Sequence, residues 1–158
     1  MSRELHAFLA RDHERLDALL EELSRGEGGI PRDRYDEFRR GLLRHIGIEE
    51  RVLFPELRRR RGVTSLEKQL HRDHAALAAL LVPPPTHSEV EQITAILETH
   101  NRLEEKPGGL YEIIEELSGD DLAAVMERVH AIPEIPLAPF SDTPLLRRTI
   151  EQLLRDRT

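Results

Sequence analysis

The sequence predicts an all-α protein built from two helical hairpins packed face to face, and three observations carry this. Leucine is abundant while aromatic residues make up only 4% of the chain, a composition that suits helix-on-helix packing better than sheets. Apolar residues recur three and four apart through four long stretches, the period of an amphipathic helix. The chain also repeats itself. Asp12-His13-Glu14-Arg15-Leu16-Asp17-Ala18-Leu19-Leu20 and Asp73-His74-Ala75-Ala76-Leu77-Ala78-Ala79-Leu80-Leu81 agree at six of nine positions, as expected of a duplicated supersecondary unit.

The first helix is expected over residues 3–24, with Leu5, Leu9, Leu16, Leu20 and Leu23 on one side, ending before Arg25-Gly26-Glu27-Gly28-Gly29. Pro31 sits where a first helical turn tolerates proline, since no helical partner awaits its missing N–H. The second helix runs over about 32–60 and carries Phe38, Leu42, Ile46 and Leu53; Pro55 should kink it or end its regular part. A turn near Gly62 leads to the third helix, from Ser65 to Leu81, stopped by Pro83-Pro84-Pro85. The fourth begins near Ser88, an N-cap residue type with Glu91 three residues on, and carries Ile93, Ile96, Leu97 and Leu103. Lys106-Pro107-Gly108-Gly109 must interrupt it before it resumes from Leu110 to Leu117.

Residues 1–118 therefore read as one bundle and residues 119–158 as a C-terminal, proline-rich helical extension. The extension comprises a short helix over about 120–131, an extended segment with Pro133, Pro136 and Pro139, and a last helix over about 143–155. Ile132, Ile135, Leu137 and Phe140 need a covering surface, which is either the bundle itself or a second copy of the chain in a homodimer.

At 158 residues the chain can bury a core without staples. It has no cysteine, which excludes disulfides, zinc–thiolate sites, thiolate-held iron–sulfur clusters and a cysteine nucleophile. A net charge of -7 repels nucleic acid and anionic membranes. The run Arg58-Arg59-Arg60-Arg61 reads as the solvated cationic end of a helix, with a phosphate or partner-docking patch as the alternative. The start, Met1-Ser2-Arg3-Glu4-Leu5, passes straight into amphipathic sequence, and no apolar run is long enough to span a bilayer. A cytoplasmic protein is expected, with neither nucleic acid nor membrane as partner.

Histidines share the leucine faces. His13 lies four residues from Leu9 and three from Leu16; His45 lies three from Leu42 and four from Glu49; His74 lies four from Leu70 and three from Leu77; His100 lies four from Ile96, three from Leu103 and four from Glu104. Positions so spaced share a face, so four imidazoles and two carboxylates converge in the core. Each buried polar group left unsatisfied costs roughly 1–3 kcal/mol, and a charge more. A pair of cations removes that penalty, and His13, His45, Glu49, His74, His100 and Glu104 are the expected metal ligands. With both glutamates bridging, and one bridging oxide or hydroxide, this set makes two five-coordinate metals. Such a set suits iron, with manganese or zinc as alternatives.

His13, the segment His45-Ile46-Gly47-Ile48-Glu49-Glu50 with Leu53-Phe54-Pro55 behind it, Asp73-His74, and His100-Asn101-Arg102-Leu103-Glu104-Glu105 with Leu110-Tyr111 behind it resemble the hemerythrin-like, or HHE cation-binding, domain over roughly residues 1–118. The resemblance implies an up-down antiparallel four-helix bundle, a non-haem di-iron centre, and chemistry with dioxygen, nitric oxide or peroxide. Oxygen-carrying members of that family place two histidines four apart on the third helix. Here His71 and His74 are three apart, and His71 is either a seventh ligand or a surface or outer partner. The carriers also have an aspartate five residues after the last histidine, an offset that Glu105 keeps. Glu104 instead matches Glu49, and internal symmetry favours it, leaving Glu50 and Glu105 as outer partners.

Asp12 and Asp73 are expected at helix surfaces. His6, His87 and His130 read as core-edge, linker and helix-end residues, and Tyr35 and Tyr111 as core anchors that could line a channel. Three functions remain. The first is a binding or sensing module with two irons and an open position for a small ligand. The second is a di-iron peroxidase, oxidase or nitric-oxide-reducing enzyme, which requires a proton donor among Glu50, Glu105, Tyr35 and His71. The third is a zinc-bound or metal-free structural bundle.

Overall fold

Four helical rods run up and down in an antiparallel bundle, and a further helix lies along its side. The computed structural model describes residues 2–157, and no strand occurs among them. The elements are α1 (Glu4–Arg25), α2 (Arg32–Ile48), α3 (Phe54–Arg61), α4 (Ser65–Leu80), α5 (His87–Glu105), α6 (Leu110–Ser118), α7 (Leu122–Ala131) and α8 (Pro144–Asp156). The rods are α1, α2 with α3, α4, and α5 with α6.

The apolar core is split in two. One cluster gathers Leu16, Leu20, Tyr35, Phe38, Leu42, Leu77, Ile93 and Leu97; the other gathers Leu5, Leu9, Ile48, Leu53, Phe54, Leu70, Leu110 and Ile114. Each of the four histidines stands where its helix passes from one cluster to the other, so a polar layer is sealed between two apolar plugs. That layer is the site.

Two departures from regular helix flank it. The periodicity predicts a helix that Pro55 kinks or whose regular part it ends; the structure interrupts the regular helix with a π-turn, Glu49–Leu53, closed by Phe54 N–H bonding to Glu49 C=O. The wider turn accommodates a proline that lacks an N–H and whose ring crowds the preceding turn. In the fourth rod the break falls at Lys106–Gly109, as expected. Gly108 adopts φ +77°, and a Cβ on Gly109 would lie 2.6 Å from Leu103 C=O and 2.8 Å from Glu104 C=O. Only glycine lets the turn fold this tightly over the end of α5.

The start of α5 lies two residues earlier than expected. Thr86, directly after the proline run, forms a reciprocal capping box with Glu89, whose Oε2 accepts from Thr86 N–H at 2.9 Å. Ser88 and Glu91 play no such part.

The extension packs on its own bundle. α8 lies along α4, burying Ile150 and half-burying Leu146, Leu153 and Leu154. The preceding segment is tied down by Arg39 Nη2 donating to Ala138 C=O at 3.1 Å and Ser141 N–H donating to Val82 C=O at 3.0 Å. Ile132 is buried, and Phe140 packs against Tyr35 beneath the guanidinium groups of Arg32 and Arg39. Ile135, expected to be covered, is 41% exposed, because an extended strip lying on a surface cannot turn every side chain inward. The arginine run has partners within the chain. Arg58 pairs with Glu67; Arg59, Arg60 and Arg128 surround the buried Glu56; Arg60 also reaches Asp121. Burial would raise the Glu56 pKa, but the three guanidiniums bring it down to about 2. Among the described residues, no helix is long and apolar enough to cross a membrane.

Candidate metal centre

Within each half, the histidine of the second rod and the glutamate one turn later share a face, and the first rod adds the other histidine. All six side chains meet in the sealed layer, each no more than 3% exposed. They form two overlapping groups that could each hold a metal ion: His13, His45, Glu49 and Glu104, and Glu49, His74, His100 and Glu104. In each group one ligand atom per residue lies within 4.8 Å of the others. Glu49 and Glu104 belong to both.

Nitrogen roles follow from the outer partners. His13 Nδ1 bonds Glu105 Oε2 at 2.6 Å, His45 Nδ1 bonds Asp12 Oδ2 at 2.7 Å, His74 Nδ1 bonds Glu50 Oε2 at 2.8 Å, and His100 Nδ1 bonds Asp73 Oδ2 at 2.9 Å. Ionised carboxylates only accept, so every Nδ1 carries the proton and every neutral ring turns a lone pair inward at Nε2. The inner contacts are then lone pair on lone pair. His13 Nε2 faces His45 Nε2 at 3.0 Å, His74 Nε2 faces Glu49 Oε1 at 2.9 Å, and His13 Nε2 faces Glu104 Oε1 at 3.1 Å. Glu104 Oε2 lies 3.0 Å from His100 Nε2 in a geometry that makes no hydrogen bond, and it is otherwise unpartnered. Four imidazole lone pairs and four carboxylate oxygens without enough protons between them fit cations, and the donor set fits iron without thiolate.

Protons are the alternative filling, and the electrostatics show the strain of that solution. Burial disfavours a charged His45 and a charged His100, yet the facing glutamates and the Asp12 and Asp73 carboxylates hold both pKa values well above the ordinary histidine range. Burial likewise opposes ionisation of Glu49, and the His45 charge with hydrogen bonds from its neighbours holds its carboxyl well below the usual range.

Asp12 and Asp73 were expected at helix surfaces, and here the structure corrects the sequence. Asp73 is 1% exposed, and each aspartate reaches across to the histidine of the next rod. A residue beside an inward histidine sits at the edge of the helix interface, which reads as surface until the neighbouring helix is in place. Glu50 and Glu105 take the outer role expected of them and grip the histidine of the opposite half. His71 bonds only Glu50, at 2.8 Å, with its side chain 65% exposed, and does not join the ligand atoms.

Tyr111, read from the sequence first as a core anchor that could line a channel, reaches into the cluster itself. Its hydroxyl donates to Glu49 Oε2 at 2.7 Å and lies 3.0 Å from Glu104 Oε1, 3.0 Å from His13 Nε2 and 3.2 Å from His45 Nε2. Burial first, then the charges of Glu104 and Glu49, push its pKa well above the ordinary phenol value. The glycine turn places it there, because α6 restarts beside the end of α5. Tyr35 lies in the other apolar cluster. Phe54, at the matching place in the first half, stacks on His74 with ring centroids 5.4 Å apart and brings no polar atom.

Beside the ligands, His13, His45, His100, Leu77, Leu97 and Asn101 help to line a cavity with about 10 Å³ open to the centre of a water-sized molecule. Leu97 and Asn101 also border a cleft of about 620 Å³ between α1 and α5.

No curated protein and no solved structure matches the chain. The model of the hemerythrin HHE cation binding domain matches it over residues 4–107, a span that holds all six converging side chains. The chain belongs to the hemerythrin HHE cation-binding family.

Proposed function

We propose that this chain is a non-haem di-iron protein that binds or senses dioxygen, nitric oxide or peroxide at an open coordination position. His13 and His45 hold one metal, His74 and His100 the other, and Glu49 and Glu104 are shared between them. The observation that carries this reading is the inward convergence of four imidazole lone pairs on two buried carboxylates, with every outer nitrogen fixed by a further carboxylate. When bound, the iron pair supplies redox-active positions at which a diatomic or peroxide ligand is taken up. The chain's own residues do the rest. The outer carboxylates hold each ring in one orientation. Leu16, Leu42, Leu77 and Leu97 exclude bulk water, and the cavity they border has room for one water-sized molecule.

The test is metal content by elemental analysis together with the absorption spectrum before and after reduction. Two irons per chain and a charge-transfer band that returns on exposure to air are expected. A protein loaded with iron anaerobically that shows no such band on meeting air overturns the reading.

Tyr111 favours a second reading, turnover of peroxide or nitric oxide. Of the expected donors, Tyr35 is remote, His71 is outside, and Glu50 and Glu105 are committed to histidine protons; the Tyr111 hydroxyl is the proton-bearing group among the ligand atoms. Steady-state consumption of peroxide or nitric oxide with a reductant, lost in Tyr111→Phe, identifies an enzyme. Stoichiometric binding without turnover identifies a sensor or carrier.

A further inference from the structure

The C-terminal extension reaches the metal centre through one arginine. Asp73 Oδ2 accepts from His100 Nδ1 at 2.9 Å, while Asp73 Oδ1 accepts from Arg157 Nε at 2.8 Å and from Gln69 Nε2 at 3.1 Å. Arg157 follows directly on α8, and its side chain is only 17% exposed. A carboxylate as deeply buried as Asp73 needs a charge partner.

The first half meets the same need locally. Asp12 Oδ2 bonds His45 Nδ1, and Asp12 Oδ1 accepts from Arg15 Nη2 at 2.8 Å and Nε at 3.2 Å. In the register that pairs Asp12 with Asp73, Arg15 stands opposite Ala76; in the register that pairs His45 with His100, Gly41 stands opposite Ile96. A Cβ on Gly41 would lie 2.8 Å from Arg15 Nη2, so the glycine gives the guanidinium its place against α2. Ala76 and Ile96 are buried and apolar. The second half has neither the arginine nor its berth, and the extension supplies the cation from 84 residues away.

We infer that Arg157 is a positioning residue for the metal held by His74 and His100: through Asp73 it fixes the proton of His100 on Nδ1 and the lone pair of Nε2 on the metal. This rests on the reading of the cluster as a two-metal centre. The extension thereby becomes part of that centre. Because coupling between two sites is reciprocal, metal uptake steadies α8, and docking of α8 tightens one metal.

The test uses the full chain, made metal-free and titrated with cobalt(II), whose d–d absorption reports ligand geometry. Wild type binds two equivalents, and cobalt slows amide exchange in α8. Arg157→Gln, by loosening Asp73, the outer partner of His100, weakens one equivalent by about tenfold, the low end of the effect of losing such a partner, shifts its d–d bands, and removes the cobalt-dependent protection of α8. Arg157→Lys recovers most of the affinity and protection, because it restores the charge. Arg15→Gln acts on the other equivalent, so the double variant weakens both. If Arg157→Gln weakens the two equivalents alike, or neither, or leaves the protection of α8 intact, the assignment is wrong while the two-metal reading stands. If wild type takes up no cobalt, the two-metal reading itself fails, and this inference with it.

Discussion

The two halves of the bundle bring the same two histidines and one glutamate inward and support them differently. In both, an aspartate beside the first histidine holds the second, and a second glutamate reaches the first histidine of the other half. Beyond that shared plan they diverge. The first half leaves its Glu-Glu pair through a π-turn and an apolar Phe54, and cushions Asp12 with Arg15. The second half leaves through a glycine turn that brings in Tyr111, and draws Arg157 from the extension. The two halves thus match in the side chains that converge, while the material around them differs. The His13–His45 group gains a phenol, the His74–His100 group a tether to the C-terminal helix.

The largest way to break the comparison is to remove a shared ligand. Glu104→Ala takes an oxygen from both groups, so metal content should fall from two per chain to below one, where His45→Ala removes one metal preferentially. Bound metal at a thousandfold excess over its dissociation constant contributes about 4 kcal/mol. At about 2–4 °C per kcal/mol for a domain of this size, the loaded protein should therefore melt on the order of 10 °C higher than the Glu104→Ala variant, a gap that a chelator abolishes. A variant that keeps two metals would show that the halves do not share Glu104.

Acidity separates loaded from metal-free protein by sign. In the metal-free chain His13, His45, His74 and His100 have raised pKa values. Their stabilisation is fully present below the ordinary value near 6.5 and is lost as pH rises through the folded values. Metal needs the rings neutral, so affinity rises over the same range. Denaturation at pH 6 and pH 8, with and without cobalt, should show opposite trends. Parallel trends would exclude the imidazoles as ligands. At the acid end, Asp12 and Glu56, both lowered to about 2, contribute stability that is present above their unfolded values and lost as pH falls toward 2.

A smaller effect tests the two exits. Gly109→Ala pushes a Cβ against the Leu103 and Glu104 carbonyls and should destabilise by about 1–3 kcal/mol, typical of overpacking, while displacing Glu104. Gly47→Ala, whose Cβ would meet only Ile132 at 3.6 Å, should be nearly silent in denaturation. Equal effects would mean that the tight turn over α5 is not what holds the second half in register. Smallest in stability is Tyr111→Phe, which keeps the ring and removes the hydroxyl. It should alter the visible spectrum of the iron-loaded protein while moving the melting temperature by only a few degrees. An unchanged spectrum would remove the phenol from the centre.

The bundle and the inward convergence of six side chains were legible because helical periodicity states directly which residues face the core, and the duplicated segments agreed with each other. What surrounds the ligands was not. Asp12 and Asp73 turn toward a neighbouring helix whose register no local pattern records, although the repeated Asp-His pair was the available sign. Tyr111 lost its phase when Lys106–Gly109 broke the helix, so counting from His100 no longer told where it points. Arg157 lies in a segment outside the duplication, and only the packing of α8 on α4 brings it to Asp73. Ile135 was expected to be covered on hydrophobicity alone, which says nothing of how an extended strip lies.

The carboxylate ring also sets a charge balance. Glu49, Glu104 and Asp73 in the buried layer, with Asp12, Glu50 and Glu105 at its partly exposed rim, bring six negative charges together, against the two guanidiniums of Arg15 and Arg157. The remaining four match two divalent ions with neither surplus nor deficit. Any further positive charge on those ions then calls for an anion drawn in from solvent or a proton given up by the enclosed phenol. On the di-iron reading proposed above, electron transfer at this centre is thereby tied to the traffic of small charged species through the helices.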